Sequence, residues 1–297
     1  GTIFTEAGVD VTAQLYTGSA LSSSGSMNIT DRIITPTKLE YKQTFLQESL
    51  RSARFNRSMS PGAWNIESNE FASTVLAMVG PNVSQDAESL FWGGITAATK
   101  TAIAALSPGA GQGSMTAATQ TAVAALTAGL VDGVFAKVLY DNAAVGGYIK
   151  VTGTTVTASN IAAECAKIFA AIPAENLNDT VSPTVIYAPR AWKQLCYNAN
   201  NAVGAAQQIN FQIDGNNFNT SRVFYNGIEL LFVPAPNNLM AYAQRKAAVS
   251  WNTDLTDDVN RFEVGKLVND GDVQFVRSIY TLAANVGQAS KGVLYGG

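Results

Sequence analysis

The feature that most constrains the fold is a change of period near Met240. Upstream, apolar residues recur mostly at helical spacing between short strand-like runs. Downstream, MAYAQ, AAVSW, NRFEVGKLV and DVQFVRSIYTLAANV follow one another as strands with almost nothing helical between them. Asn269-Asp270-Gly271 adds a tight-turn signal inside that block, because these residues tolerate the positive φ of short hairpin loops. Runs of strands after runs of helices indicate an α+β chain with an antiparallel sheet, not a doubly wound parallel one.

Before the change of period, the spacing predicts a helix from Asn82 to Leu106. Asn82 or Ser84 would cap it, Asp86 and Glu88 favour its positive end, and Ser107-Pro108-Gly109 stops it. Phe91, Ile95, Ala98, Ala102 and Leu106 fall on one face, while Gly93 and Gly94 each cost roughly 1 kcal/mol unless a close backbone approach needs them. An internal repeat follows: TAATKTAIAAL (Thr96 to Leu106) returns as TAATQTAVAAL (Thr116 to Leu126) across the linker PGAGQGS. Two copies are too few for a solenoid, so the second is read as an Ala-rich helix running to about Tyr140.

Next, YIKVTGTTVT reads as a strand, and Ser159 caps a helix with Ile161, Cys165, Ile168 and Ile172 inward, ended by Pro173. VIYAP is a short apolar strand, and Pro189 opens a helix with Trp192, Leu195, Cys196 and Ala199 inward. VFYNGIELLFV is a hairpin, since Asn226-Gly227 suits a two-residue turn.

The first 30 residues, rich in Ser, Thr and Gly, cannot supply a core and read as an extended arm lying on another surface. From Asp31 to about Val83 charges mix with scattered aromatics; Tyr41 to Arg57 reads as a short helix, and Ser60-Pro61-Gly62 as a turn within a projecting loop or hairpin. Its basic residues Lys38, Lys42, Arg51, Arg54 and Arg57 precede the acidic Glu67, Glu70, Asp86 and Glu88. That asymmetry suits a projection docking on the acidic part of a neighbour, with a solvated charged face as the plainer alternative. Arg51, Arg54 and Arg57 recur every third residue, so on a helix they would share a face able to meet carboxylate or phosphate.

Composition bounds the chemistry. No histidine occurs among the 297 residues, which removes serine triads, cysteine–histidine dyads and histidine-ligated zinc. Cys165 and Cys196 are too few for a metal cluster and read as buried small apolar residues, with an intrachain disulfide as the alternative. Gly109-Ala110-Gly111-Gln112-Gly113 lacks the preceding strand and the following Lys-Ser/Thr of a phosphate loop. Asp254, Asp257, Asp258 and Glu263 invite a calcium reading, but lack the alternating ligands and central glycine of the calcium loop, so turn capping or subunit contact is preferred.

No catalytic residue, metal or cofactor is therefore expected; a hydrolase using paired carboxylates or a lysine base is the non-structural alternative. A net charge of -3 argues against a protein built to neutralise phosphates, although it suits a wall past which DNA must slide. Only 14% of residues are charged, which suggests that neighbouring subunits cover part of the surface. The N-terminus has no basic region followed by an apolar run, and no run reaches the roughly 18 apolar residues of a membrane span. The chain is thus expected to be cytosolic and free of membrane.

From about Thr184 onward the chain resembles the major capsid proteins of tailed double-stranded DNA phages, the fold named for the Hong Kong ninety-seven phage. VIYAPRAWKQL looks like their strand and helix following a segment such as TASNIAAECAKIFAAIP. FYNGIELLFVPAPNNLMAYAQRKAAVSWNTDL is similar to their hairpin and next strand, and VNRFEVGKLVNDGDVQFVRSIYTLAANVGQASKGVLYG to their closing sheet.

The resemblance implies an order of parts. These are an N-terminal arm (1–30), an extended loop (31–81), a spine helix and peripheral domain (82–144), an axial domain (145–235) and a return sheet (236–297). It also implies a non-enzymatic subunit of a virion capsid, assembled in the host bacterial cytoplasm. Identical copies would form pentamers and hexamers around DNA, with decoration, portal or scaffold proteins as further partners. Lys38, Lys42, Arg51, Arg54, Arg57, Glu67 and Glu70 would be inter-subunit contacts. Such proteins often lack a cleaved leader, which would fit Gly1, and some carry a Lys–Asn crosslink, for which Lys38 and Lys42 lie in the right region. An encapsulin-like shell and a tail-tube or surface-layer subunit are the structural alternatives.

Overall fold

The computed structural model describes residues 2–9, 27–46, 69–105, 117–144, 148–177, 180–203, 211–215, 217–253, 261–267, 270–287 and 291–296. The class is α+β, organised on two principal sheets. The larger has seven strands: β4 (Ile149–Thr152), β5 (Thr184–Pro189), β6 (Gln212–Asp214), β7 (Arg222–Tyr225), β8 (Ile228–Val233), β9 (Met240–Arg245) and β13 (Val293–Gly296). Their order across the sheet is β4-β13-β9-β5-β8-β7-β6.

The second sheet is built on β12 (Asp270–Val286), a strand of 17 residues. It pairs antiparallel with β3 (Thr37–Leu46), β10 (Val249–Asn252) and β11 (Arg261–Leu267). A separate two-stranded ribbon joins β1 (Thr2–Val9) to β2 (Met27–Ile34).

The expected antiparallel sheet is therefore correct for the β12 sheet and needs correction for the larger one, where β5 runs parallel to β8 and β13 parallel to β4. Parallel neighbours require a long connection. Here β5 and β8 are separated by helix α7 (Arg190–Val203) and the β6–β7 hairpin, and the chain returns to β4 only with its last strand. Asn226 and Gly227 do form the predicted β7–β8 turn, with φ of 48° and 82°.

Alternation along the central strands divides the interior in two. Val185, Tyr187, Tyr242 and Leu294 face one cluster, shared with helices α1 (Asn69–Gly93) and α4 (Val134–Ala144) and with Leu39, Tyr280 and Leu282 of the β12 sheet. Ile186, Ala188, Ala241, Ala243 and Tyr295 face the other. There they meet α5 (Ile161–Ala171) and, beyond the single-turn α6 (Ala174–Leu177) in the chain, α7; Ile161, Cys165 and Ile168 of α5 and Trp192 and Cys196 of α7 are fully enclosed. Burial on both faces explains why VIYA reads as an unbroken apolar run, not an alternating one. The inner faces expected of α5 and α7 are the ones observed.

Other expectations need correction. The helix placed at Asn82–Leu106 begins instead at Asn69, runs through Pro81 and stops at Gly93; a separate helix α2 (Ala97–Ala104) follows. The cause is a crossing with a distant segment. Gly133 donates its N–H to Gly94 O at 2.9 Å and Gly129 to Ile95 O at 2.7 Å, so the carbonyls of the break bond across to another stretch of chain. Asp132 then supplies the start of α2: its carboxylate accepts from Thr96 N at 2.7 Å, Thr96 Oγ1 at 3.2 Å and Thr99 Oγ1 at 2.7 Å.

The same crossing corrects the second Ala-rich helix, which does not reach Tyr140. It ends at Ala124 as α3 (Ala117–Ala124), and α4 begins anew at Val134. We expect Asp132→Ala to cost about 1–3 kcal/mol of folding stability, as loss of a cap with several donors should, measured by denaturant unfolding.

Residues 41–46, expected to be helical, continue β3 because each is held in register by β12, from Tyr41 opposite Ser278 to Leu46 opposite Val273. Ser159 does not cap α5. Asn160 stands at that position, and its side chain turns back to accept from Thr157 N at 2.7 Å. Pro189 closes β5, and the helix opens one residue later at Arg190. YIKVTGTTVT is strand only over Ile149–Thr152.

The internal repeat has a structural counterpart. Ile103 and Val123, equivalent in the two copies, are both buried. Lys100 Nζ donates to Leu126 O at 2.5 Å, and its equivalent Gln120 donates to Ile103 O at 3.2 Å and Ala104 O at 2.9 Å. Each copy thus uses the same position to satisfy carbonyls at the C-terminal end of its twin.

Candidate assembly surfaces

The β12 sheet has one face on the core and one facing away, and strand alternation sorts the charges onto the second. Lys38, Glu40 and Lys42 share that face of β3, opposite Thr281, Ile279 and Arg277. The Arg277 guanidinium lies between two carboxylates, 2.7 Å from Glu40 Oε1 and 3.7 Å from Glu263 Oε2 on β11. Lys38 and Lys42 are exposed and make no ion pair among the described residues. Two of the expected contact residues are thus presented together beside a charged ladder. Glu70 lies in α1, while Arg51, Arg54, Arg57 and Glu67 fall outside the described residues, as do Asp254, Asp257 and Asp258.

Where α1 crosses the inner face of this sheet, an apolar groove of about 310 Å³ opens to solvent. Val83 and Ala87 form its helical wall, and Trp251, Phe262 and Tyr280 the opposite one. The Trp251 ring stacks on Phe91 at 5.3 Å between centroids and remains 39% exposed, high for an indole in a place that could have been closed. Glu88 lies on the rim, bonded to Arg190 Nη2 at 2.8 Å. Asp86 is close enough to help burial raise the Tyr280 phenol, and forms no ion pair among the described residues.

On the other side of the seven-stranded sheet, the buried carboxylate Glu164 ties three elements together. It accepts from Tyr295 Oη of β13 at 2.8 Å and from Thr154 Oγ1 at 2.9 Å, and pairs with Lys167 Nζ at 2.9 Å. Burial alone would raise its pKa; the bonds from Lys167, Tyr295 and Thr154 outweigh it and hold the carboxyl below its ordinary 4.5.

A folded-state value below the unfolded one stabilises the protein above about pH 4.5 and withdraws that stability as pH falls through the folded value. We therefore expect the unfolding free energy to drop on acidification below pH 4.5, and Glu164→Gln to flatten that drop. At pH 7 the variant should lose roughly 1–3 kcal/mol, read from denaturation midpoints across pH. The charge was recognisable in the sequence, because Glu164 shares the period of Ile161, Cys165 and Ile168; Arg277 was not, since only the β3 and β11 registers give it partners.

Cys165 and Cys196 are free and buried. Burial, aided by Glu164, pushes the Cys165 thiol up to about 12, and burial likewise raises Cys196, so both are neutral thiols near pH 7. Among the described residues no group of His, Cys, Asp and Glu could hold a metal ion, and no helix is long and apolar enough to cross a membrane.

No protein-family model matches the sequence, and no curated protein matches it. Solved structures do. A chain of the satellite phage P4 procapsid that includes the size determination (Sid) protein superposes with a TM-score of 0.52 and 11% identity, over 98% of this chain and 89% of that one. A capsid chain of the empty GTA particle gives a TM-score of 0.53 and 12% identity, over 99% and 84%. The chain has the capsid fold. Because the match spans nearly its whole length, the capsid fold includes the β12 sheet, α1 and the seven-stranded sheet together, beyond the C-terminal segments that carried the resemblance in sequence.

Proposed function

We propose that the chain is the structural subunit of a phage capsid, assembling from identical copies into the pentamers and hexamers of an icosahedral shell around double-stranded DNA. The observation that carries this reading is the near full-length capsid fold. In it, residues 1–30 act as an arm, 31–81 as an extended loop, 82–144 as spine helix and peripheral domain, 145–235 as axial domain and 236–297 as the return sheet. The work is assembly without catalysis, in the host cytoplasm, and the mature location is the virion.

Three physical features support it. The β1–β2 ribbon pairs with no third strand among the described residues, and a two-stranded ribbon is marginal in water unless another surface covers it. Large apolar side chains stand in solvent, with Val181 93%, Leu130 70% and Met78 59% exposed. Lys38 and Lys42 are presented without ion-pair partners among the described residues, which suits contact with carboxylates of a neighbouring copy. Head-to-tail contacts between identical subunits close into rings, and several modest contacts per subunit multiply into a stable shell.

Electron microscopy of the concentrated protein tests the reading. Closed shells of uniform size are expected, with nucleic acid inside particles recovered from infected or expressing cells. Protein that stays monomeric at high concentration would overturn it, and shells filled with protein cargo in place of nucleic acid would indicate a compartment.

A further inference from the structure

We propose that the seven-stranded sheets of successive copies join edge to edge, β6 of one copy beside β4 of the next, with Asp214 meeting Lys150 across the joint. The inference rests on the shell reading and supplies a contact within its rings, since both edges lie in the stretch 145–235 read as axial. β4 and β6 form the two ends of the sheet, and neither pairs with a further strand among the described residues. Such edges carry main-chain donors and acceptors able to take another chain. On β4 the outward groups can be identified. Ile149 N donates to Gly292 O at 2.9 Å and Gly153 N to Gly296 O at 2.8 Å, both toward β13. Backbone groups alternate along a strand, so Lys150 and Thr152 turn theirs away from the sheet.

The two edges match in sense and on both faces. Followed through the pairings, β4, β13, β5, β8 and β6 run one way, and β9 and β7 the other. A copy that follows in the same orientation therefore brings its β4 to β6 as a parallel pair, and each face of the sheet continues across the joint. On the face toward α5 and α7, Ile149 and Val151 continue the apolar surface of Ile213. By alternation the opposite face carries Lys150 and Thr152 of β4, and Gln212 and Asp214 of β6. Arg222, the β7 neighbour of Asp214, is held by both carboxylate oxygens of Glu229 at 2.7 Å. Asp214 itself is exposed and makes no ion pair among the described residues. An open trough of about 430 Å³ lies along this edge beside Gln212, Asp214, Phe224 and Gly227, with room for the side chains of an added strand. A joint between two different edges is head-to-tail, the kind of contact that propagates around a ring.

Charge exchange tests the joint. Within one chain the two edges are six strand spacings apart, about 29 Å, far beyond the screening length of about 8 Å in 0.15 M salt. Rescue of one position by the other therefore requires two copies. Lys150→Glu alone and Asp214→Lys alone each set like charges together, and the shell yield read by sedimentation should fall on the order of tenfold for each. The double variant Lys150→Glu/Asp214→Lys should return to within about twofold of the unsubstituted chain, because every copy then offers the reversed pair to its neighbour. Circular dichroism of the unassembled variants reports their folding. Thr152→Pro probes the main chain: it deletes an outward N–H, which an edge strand tolerates, so the subunit should stay folded while shell yield falls.

Folded single variants that assemble normally, or a folded double variant no better than the single ones, would overturn the edge contact and leave the shell reading intact. Where a charge variant does not fold, Thr152→Pro decides alone, and normal shells from it would likewise overturn the contact. Failure of the unsubstituted chain to assemble would overturn the shell reading, and this joint with it.

Discussion

Reversing Arg51, Arg54 and Arg57 to glutamate together should leave a folded subunit that no longer forms shells. Each substitution replaces a cation by an anion, so the segment shifts by six charges, and every contact it makes with acidic groups turns repulsive. Like charges forced together at an interface cost several kcal/mol, and a shell repeats that cost at every subunit. The subunit itself should keep its fold, since arginine is almost never fully buried unless paired.

The measurement is sedimentation of the assembly mixture beside circular dichroism of the variant. The expected result is native dichroism with protein remaining in the slow fraction. Raising salt from 0.15 M to 1 M shortens the screening length from about 8 Å to about 3 Å, so part of the defect should be relieved. Normal shells from the triple variant would remove the docking role from this segment.

The second large effect is expected at the crossing of residues 90–96 with 129–133. A Cβ added to Gly94 would lie 2.5 Å from both Leu90 O and Val131 O; one added to Gly133 would lie 2.6 Å from Leu90 O and Phe91 O. The three obstacles, Leu90 O, Phe91 O and Val131 O, are backbone atoms, which have no rotamer to move into. Overpacking commonly costs about 1–3 kcal/mol, and the absence of any flexible neighbour places Gly94→Ala and Gly133→Ala at or above the top of that range. The pair should be less than additive, because both strain the same backbone approach. Gly80→Ala is the internal control: apart from its chain neighbours nothing described lies within 4 Å of the added methyl, and the gain in helix propensity of about 1 kcal/mol is offset by the restriction that Pro81 places on a non-glycine residue before it, so the net change should be small. Denaturant unfolding of the three variants checks all of this; a neutral Gly94→Ala would mean that the break in the helix is not set by the crossing.

That crossing also shows where sequence reasoning reaches its limit. Gly93 and Gly94 were visible as costly within a helix, and a close backbone approach was the stated reason for tolerating them. What the local pattern could not contain was the partner, since Asp132 acts on Thr96 from 36 residues away. Likewise TKLEYKQTFL has no period of its own strong enough to identify it as a strand; its conformation is imposed by the β12 register, 227 to 245 residues downstream. Where the determinant is local, the reading succeeded: Asn226-Gly227 formed its turn, and the apolar stripes of α5 and α7 formed their core. Of the candidate contacts, Lys38 and Lys42 could be seen as a charge pattern, but their shared face appears only once β3 is a strand. The groove was not legible, because Val83, Trp251 and Tyr280 come from three separate regions of the chain.

The length of β12 has a mechanical meaning. At the strand rise its 17 residues span about 55 Å, bonded along one stretch to β3, along another to β11 and at its end to β10. Tension along that axis loads the cross-strand bonds in shear, so they must yield together and not one by one as in an unzipping pair. A wall stretched from within by packed polymer pulls in its own plane. A subunit with such a strand in that plane would resist by the combined strength of three ladders, with no need for a stronger bond anywhere in them.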